Sequence, residues 1–81
     1  MRDGHNIPVQ GQVLFHAGYR GRQEPRRITI AGCDYAVSEI LSRGRIRDSG
    51  SGIVREDFVC RIDRGTVKVC VYADGTTEIF T

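Results

Sequence analysis

Residues 53–81 read IVREDFVCRIDRGTVKVCVYADGTTEIFT, and this stretch decides the fold. Apolar side chains occupy every second position in two runs, and glycine-containing segments at residues 63–66 and 73–75 separate the runs from each other and from a last short apolar segment. Period-two patterning broken by such turns is typical of antiparallel hairpins with one buried face. The alternating apolar residues are Phe58, Cys60, Ile62, Val67, Val69 and Val71.

The first of these hairpins also predicts the state of the cysteines. A four-residue loop at residues 63–66 places all the paired apolar side chains on one face, and it places Cys70 opposite Val59. Cys60 and Cys70 then point to opposite faces of the sheet, so they cannot form a disulfide without backbone movement. We expect all three cysteines, Cys33 included, to be free thiols. The expected pairs are Ile62 with Val67, Cys60 with Val69, and Phe58 with Val71.

Three further strands are predicted upstream, at residues 9–16, 26–31 and 35–41. The phase of the third is ambiguous because Ile40 and Leu41 are adjacent, and either a β-bulge near Ser38 and Glu39 or a short helical turn over residues 36–42 accounts for it. Residues 1–8 have no periodicity and read as a flexible lead-in to a single small β domain at residues 9–81. The expected fold is all-β, either a five- to six-stranded antiparallel barrel of SH3-like or OB-like type or a strongly twisted meander.

Length and composition limit the possible functions. A chain of 81 residues makes one domain with a thin core. No apolar run approaches the roughly 20 residues that a membrane helix needs, and the N-terminus opens no apolar secretory segment. The sequence therefore predicts a cytoplasmic protein that does not contact a membrane.

Charge is distributed unevenly along the chain. Residues 1–47 hold eight arginines against four acidic residues, a balance of +4, whereas residues 48–81 hold four basic and six acidic residues, a balance of −2. Eleven of the twelve basic residues are arginine, which favours planar, bidentate contacts to phosphate or carboxylate. High-GC codon usage gives the same bias without a function.

Two arginine-rich segments, residues 18–22 and 43–47, are predicted to be loops that could meet at one end of the barrel. Their guanidinium groups could neutralise phosphates while an aromatic side chain stacks on a base. The alternative is that they are solvated loops whose arginine stems cover apolar edges. The candidate nucleic-acid-binding residues are Tyr19, Arg20, Arg22, Arg26, Arg27, Arg43, Arg45 and Arg47.

Metal binding and catalysis find little support in the sequence. No two cysteines have the short spacing of a zinc knuckle, and Glu56 and Asp57 point to opposite faces of a strand, so they cannot share a proton. Gly50-Ser51-Gly52 lacks the lysine and the helix of a phosphate-binding loop. We expect no cofactor, no metal and no enzyme activity.

From Glu24 onward the chain carries the motifs Glu24-Pro25-Arg26-Arg27-Ile28, Gly32, Tyr35-x-Val37, Ile40-Leu41-x-Arg43, Phe58-x-Cys60 and Gly65. With these motifs it resembles a family of small uncharacterised bacterial domains. The resemblance implies an accessory role in DNA repair, because some members are encoded beside translesion DNA polymerases.

Two functions from different classes follow. The first is a nucleic-acid-associated accessory module that binds DNA or RNA through the arginines. The second is a protein-interaction or homo-oligomeric domain that pairs an edge strand with another protein or with itself.

Overall fold

The computed structural model describes residues 7–17 and 23–81, and it confirms the all-β antiparallel prediction. The described residues form more strands than expected, in two sheets that do not close into one barrel. The described strands are β1 (Pro8–Val9), β2 (Gly11–Ala17), β3 (Gln23–Ile30), β4 (Cys33–Ala36), β5 (Glu39–Arg47), β6 (Val54–Ile62), β7 (Gly65–Tyr72) and β8 (Thr77–Phe80). The described residues form no helix long and apolar enough to cross a membrane.

A five-stranded sheet has the order β1-β8-β7-β6-β5, and a three-stranded sheet has the order β2-β3-β4. The chain changes sheets twice, at Gln10 and at Val37-Ser38. At the second corner the Val37 amide donates to the Arg26 carbonyl at 2.9 Å, and the Ser38 amide donates to the Arg61 carbonyl at 2.9 Å. Val37 is thus bonded to the three-stranded sheet and Ser38 to the five-stranded sheet, so this corner holds the sheets together. The third strand predicted from the sequence divides here into β4 and β5.

The core lies between the two sheets and follows the alternation in the sequence. Phe58 is its largest fully buried side chain, and Ile28 of β3 meets it from the smaller sheet. Burial of one such side chain stabilises the fold by about 1.5–3 kcal/mol. The buried members of this core are Ile28, Phe58, Cys60, Ile62, Val67, Val69 and Ile79.

The register of the β6–β7 hairpin differs from the predicted one by two residues. Cys60 pairs with Val67 and Phe58 pairs with Val69, because only Asp63 and Arg64 form the turn and Gly65 already pairs with Ile62. Gly65 has a φ of 128°, which a residue with a side chain rarely adopts. The faces are nevertheless as predicted, because a shift of two residues preserves the alternation.

Cys60 and Cys70 consequently lie on opposite faces of the sheet, and Cys70 pairs with Asp57 rather than with Val59. All three cysteines are free thiols.

The ambiguous phase near Ile40 is explained by a bulge, and the helical alternative is wrong. Ile40 pairs with Cys60 and Ser42 pairs with Val59, so Leu41 is the extra residue on β5. Ile40 packs against the core, whereas Leu41 is exposed. The bulge lies two residues later than predicted, because the chain at Ser38 forms the corner between the two sheets instead.

The last residues of the predicted lead-in pair with the five-stranded sheet. The Ile7 and Thr81 backbones exchange two hydrogen bonds, and Pro8 pairs with Phe80. Residues 1–6 lie outside the described part of the chain.

Gly11 lies at the first corner, between the two sheets. A Cβ atom at this position would overlap the carbonyl oxygen of Thr29 in β3 and would lie 3.1 Å from Cδ1 of Ile79 in β8. Only a residue without a side chain fits here, against the backbone of the paired strand β3 and the Ile79 side chain of the other sheet.

We expect Gly11→Ala to lower the free energy of unfolding by about 3 kcal/mol, because the backbone of β3 cannot move away without disturbing the core. Urea unfolding followed by circular dichroism measures the change. Gly44→Ala is the matched control, since Gly44 is also a strand glycine but no atom lies within 4 Å of its Cβ position. Equal losses in the two variants would contradict the packing described for Gly11.

Candidate nucleic-acid interface

The second arginine-rich segment is a strand and not the predicted loop. Arg43, Arg45 and Arg47 lie in β5, an edge of the five-stranded sheet, and pair with Phe58, Glu56 and Val54 of β6. Strand alternation places the three arginines on one face, the same face as the buried Phe58 ring. Gly44 and Ile46 between them point to the other face. Residues 43–47 form a strand because β6 pairs with them along their whole length. The composition of the segment alone does not reveal this pairing.

Arg43 is held by two contacts. Its guanidinium carbon lies 5.1 Å from the centroid of the Phe58 ring, and Nη1 donates to Oε2 of Glu24 at 3.1 Å. A cation over an aromatic face contributes about 0.5–2 kcal/mol. With 30% of its side chain exposed, Arg43 links β5 to β3 and has little surface left for a ligand.

The Arg43–Glu24 ion pair also joins β5 to the start of β3. Glu24 is the second residue of β3, directly after the connection from β2 that contains residues 18–22. Tyr19, Arg20 and Arg22 themselves lie outside the described residues.

Arg45 and Arg47 are exposed and form no ion pair with another described residue. Glu56 lies opposite Arg45 in register without reaching salt-bridge distance. Arg45 also lines an open cavity of about 170 Å³ together with Tyr72 at the end of the β6–β7 hairpin.

Arg26 and Arg27 lie on the smaller sheet and do not join the arginine face of β5. Arg27 pairs with Leu14 on one side and with Ala36 on the other. The register between β2 and β3 is irregular at Arg26, so both arginines are exposed although they are consecutive. The structure thus divides the described candidates between two surfaces instead of gathering them at one end.

Basic residues in the second half of the chain behave differently, because each has a partner. Arg61 lies 3.6 Å from Glu39, Arg64 donates to the Tyr35 hydroxyl at 3.2 Å, and Arg55 and Lys68 both approach Asp57. Among the described arginines of the first half, Arg43 alone has such a partner.

Asp57 is the centre of a polar cluster that the sequence analysis did not anticipate. It accepts from Arg55 Nε at 3.0 Å, lies 3.9 Å from Lys68 Nζ, and faces the thiol of Cys70 across the β6–β7 pair. The attraction of Asp57 raises the pKa of Arg55. The sequence contains a signal for this cluster, because residues two positions apart in a strand share a face. This applies to positions 55 and 57 and to positions 68 and 70.

The buried thiols are poor nucleophiles. Burial raises the pKa of Cys60 to about 11, and burial together with a hydrogen bond to Asp57 raises the pKa of Cys70 to about 11. Both remain protonated near neutral pH, whereas the thiolate is the reactive form. In the described part of the chain, no three histidine, cysteine, aspartate or glutamate side chains are grouped to hold a metal ion.

Comparison of the chain with protein-family models, with curated proteins and with solved structures gave no match.

Proposed function

We propose that this domain binds nucleic acid, with Arg45 and Arg47 contacting backbone phosphates. The observation that carries the proposal is the difference in pairing between the two halves of the chain. The charge of an arginine in an ion pair is partly neutralised by its acidic partner, whereas Arg45 and Arg47 have no acidic partner among the described residues. Guanidinium groups that are exposed and unpaired are suited to phosphate oxygens.

Spacing along β5 supports the same function. Side chains at alternate positions of a strand are about 6.6–6.8 Å apart, and phosphates along one strand of B-form DNA are spaced on a comparable scale. Arg43 fixes the strand through Phe58 and Glu24, so Arg45 and Arg47 project from a rigid element. Rigid placement lowers the entropy lost on binding.

The proposal also includes residues 18–22, on the ground of their sequence alone. Arg20 and Arg22 closely precede Glu24 in the chain, and the Tyr19 ring is of the kind on which a base can stack. The resemblance to domains encoded beside translesion DNA polymerases suggests DNA as the nucleic acid and repair as the process.

The double variant Arg45→Ala/Arg47→Ala tests the proposal. Wild-type protein is expected to bind a fluorescent oligonucleotide at about 20 mM salt, with an affinity that falls steeply as salt is added. Because two phosphate contacts are removed, the slope of log K against log salt should decrease in magnitude by about 2. Fluorescence anisotropy at several salt concentrations measures this slope.

Arg61→Ala/Arg64→Ala is the control, since it removes the same formal charge from arginines that already have partners. This control should leave the slope within about 0.5 of the wild-type value. Equal effects of the two double variants, or no binding by the wild type at about 20 mM salt, would contradict the proposal.

Pairing of β5 with a further strand is a second candidate function. β5 has nine residues, lies at the edge of the five-stranded sheet and is exposed over most of its length. An unpaired edge of this length is a template for strand addition from another protein or a second copy. Three arginines on one face favour an acidic partner strand and oppose a second copy, because like charges would meet across the pair.

Self-association through β5 and nucleic-acid binding predict opposite responses to salt. Self-association through β5 should increase with added salt, because screening weakens the repulsion between arginines, whereas nucleic-acid binding should decrease. Sedimentation velocity at several protein concentrations measures self-association. A mass that stays monomeric at high protein and high salt would exclude pairing of β5 with itself.

A further inference from the structure

The outer face of the three-stranded sheet carries an open cavity of about 320 Å³ that the arginine face of β5 does not reach. We call it the outer cleft, and we define it by four of its lining residues, Leu14, His16, Arg26 and Arg27. The cleft thus combines apolar side chains with two arginines and a histidine.

Sheet register builds the floor of the cleft. Leu14, Arg27 and Ala36 are cross-strand partners in three neighbouring strands, so their side chains share one face. The small Ala36 side chain leaves room on one side of Arg27, and Leu14 on the other side is 61% exposed. A leucine this exposed, on an edge strand of the sheet, offers an apolar contact.

A bulge in β3 supplies the charge. Leu14 pairs with Arg27 but Phe15 pairs with Pro25, so Arg26 has no partner on β2 and two consecutive arginines are exposed. The Arg26 carbonyl accepts the Val37 amide at 2.9 Å, which fixes the bulge against the corner between the sheets. Bulges commonly redirect side chains at binding sites.

No carboxylate lines the outer cleft. Two acidic residues of the same sheet have other partners, because Glu24 accepts from Arg43 at 3.1 Å and Asp34 accepts from the Thr29 hydroxyl at 2.6 Å. Arg26 and Arg27 form no ion pair with another described residue. The positive charge of the cleft is therefore uncompensated by its surroundings.

We propose that the outer cleft binds one nucleotide unit of a single-stranded nucleic acid. The base lies on Leu14, one arginine stacks its guanidinium plane on the base or beside it, and the other arginine contacts the adjoining phosphate. A cavity near the lower end of the about 300–1,000 Å³ range of ligand sites accommodates one such unit.

This inference rests on the proposed nucleic-acid binding and makes it more specific. A duplex can contact Arg45 and Arg47 through its phosphates, but its bases are already stacked on both faces and cannot lie on Leu14. The outer cleft therefore selects single strands, whereas the arginines of β5 do not distinguish the two forms.

Leu14→Ser tests the inference, with an oligothymidylate of about ten nucleotides and a G·C-rich DNA duplex of about 16 base pairs as the two probes. Binding of the single strand should weaken about tenfold, because the base loses the apolar surface that Leu14 offers, while binding of the duplex should change less than twofold. Leu41→Ser is the matched control, since Leu41 is an exposed leucine on the other sheet and should affect neither probe.

Arg27→Gln provides a second variant on the same face and should also weaken the single strand more than the duplex. Equal weakening of both probes by Leu14→Ser, or no weakening of either, would overturn the outer cleft as a nucleotide site. If Arg45→Ala/Arg47→Ala still weakens both probes in that case, nucleic-acid binding through β5 stands without it. Wild-type protein that binds neither probe overturns both.

Discussion

Burial of the Phe58 ring is the interaction on which the rest of this structure depends. The ring fills the thin layer between the two sheets, and no other fully buried side chain is larger. One face of the ring is covered by the Arg43 guanidinium, which in turn binds Glu24 on the other sheet. One aromatic side chain thereby sets the distance between the sheets and also positions the strand that carries Arg45 and Arg47. A domain of 81 residues has a small core, so the residues that stabilise the fold lie close to those proposed to bind a ligand.

The distribution of ion pairs gives the two halves of the chain different tasks. Basic side chains of the second half are paired, and Asp57 holds two of them on the outer face of β6 and β7. This half supplies most of the buried core and reads as a scaffold. The described arginines of the first half lie at the edge strand β5 and at the bulge of β3, where most have no described acidic partner. Charge that is left unpaired on rigid elements is available to an anionic ligand, and this availability is the basis of both proposals.

Alternation in residues 53–81 was sufficient to predict the fold class and the face on which each core residue lies. It could not set the register, because a two-residue turn and a four-residue loop give the same faces and only the backbone angle of Gly65 distinguishes them. The strand character of residues 43–47 was also missed, since it comes from pairing with β6 and not from local composition. Contacts of Arg43 with Phe58 and Glu24 join positions 15 and 19 residues apart, which no local pattern reveals.

Amide chemical shifts of ¹⁵N-labelled protein, followed while an oligothymidylate is added at about 20 mM salt, test the central claim most directly. The claim is that the arginines of the first half of the chain form the binding surface. The account predicts shifts in residues 18–27 and 43–47 and little change at the turns around Asp63 and Asp74. Shifts concentrated in those acidic turns, or no shifts at all, would contradict it.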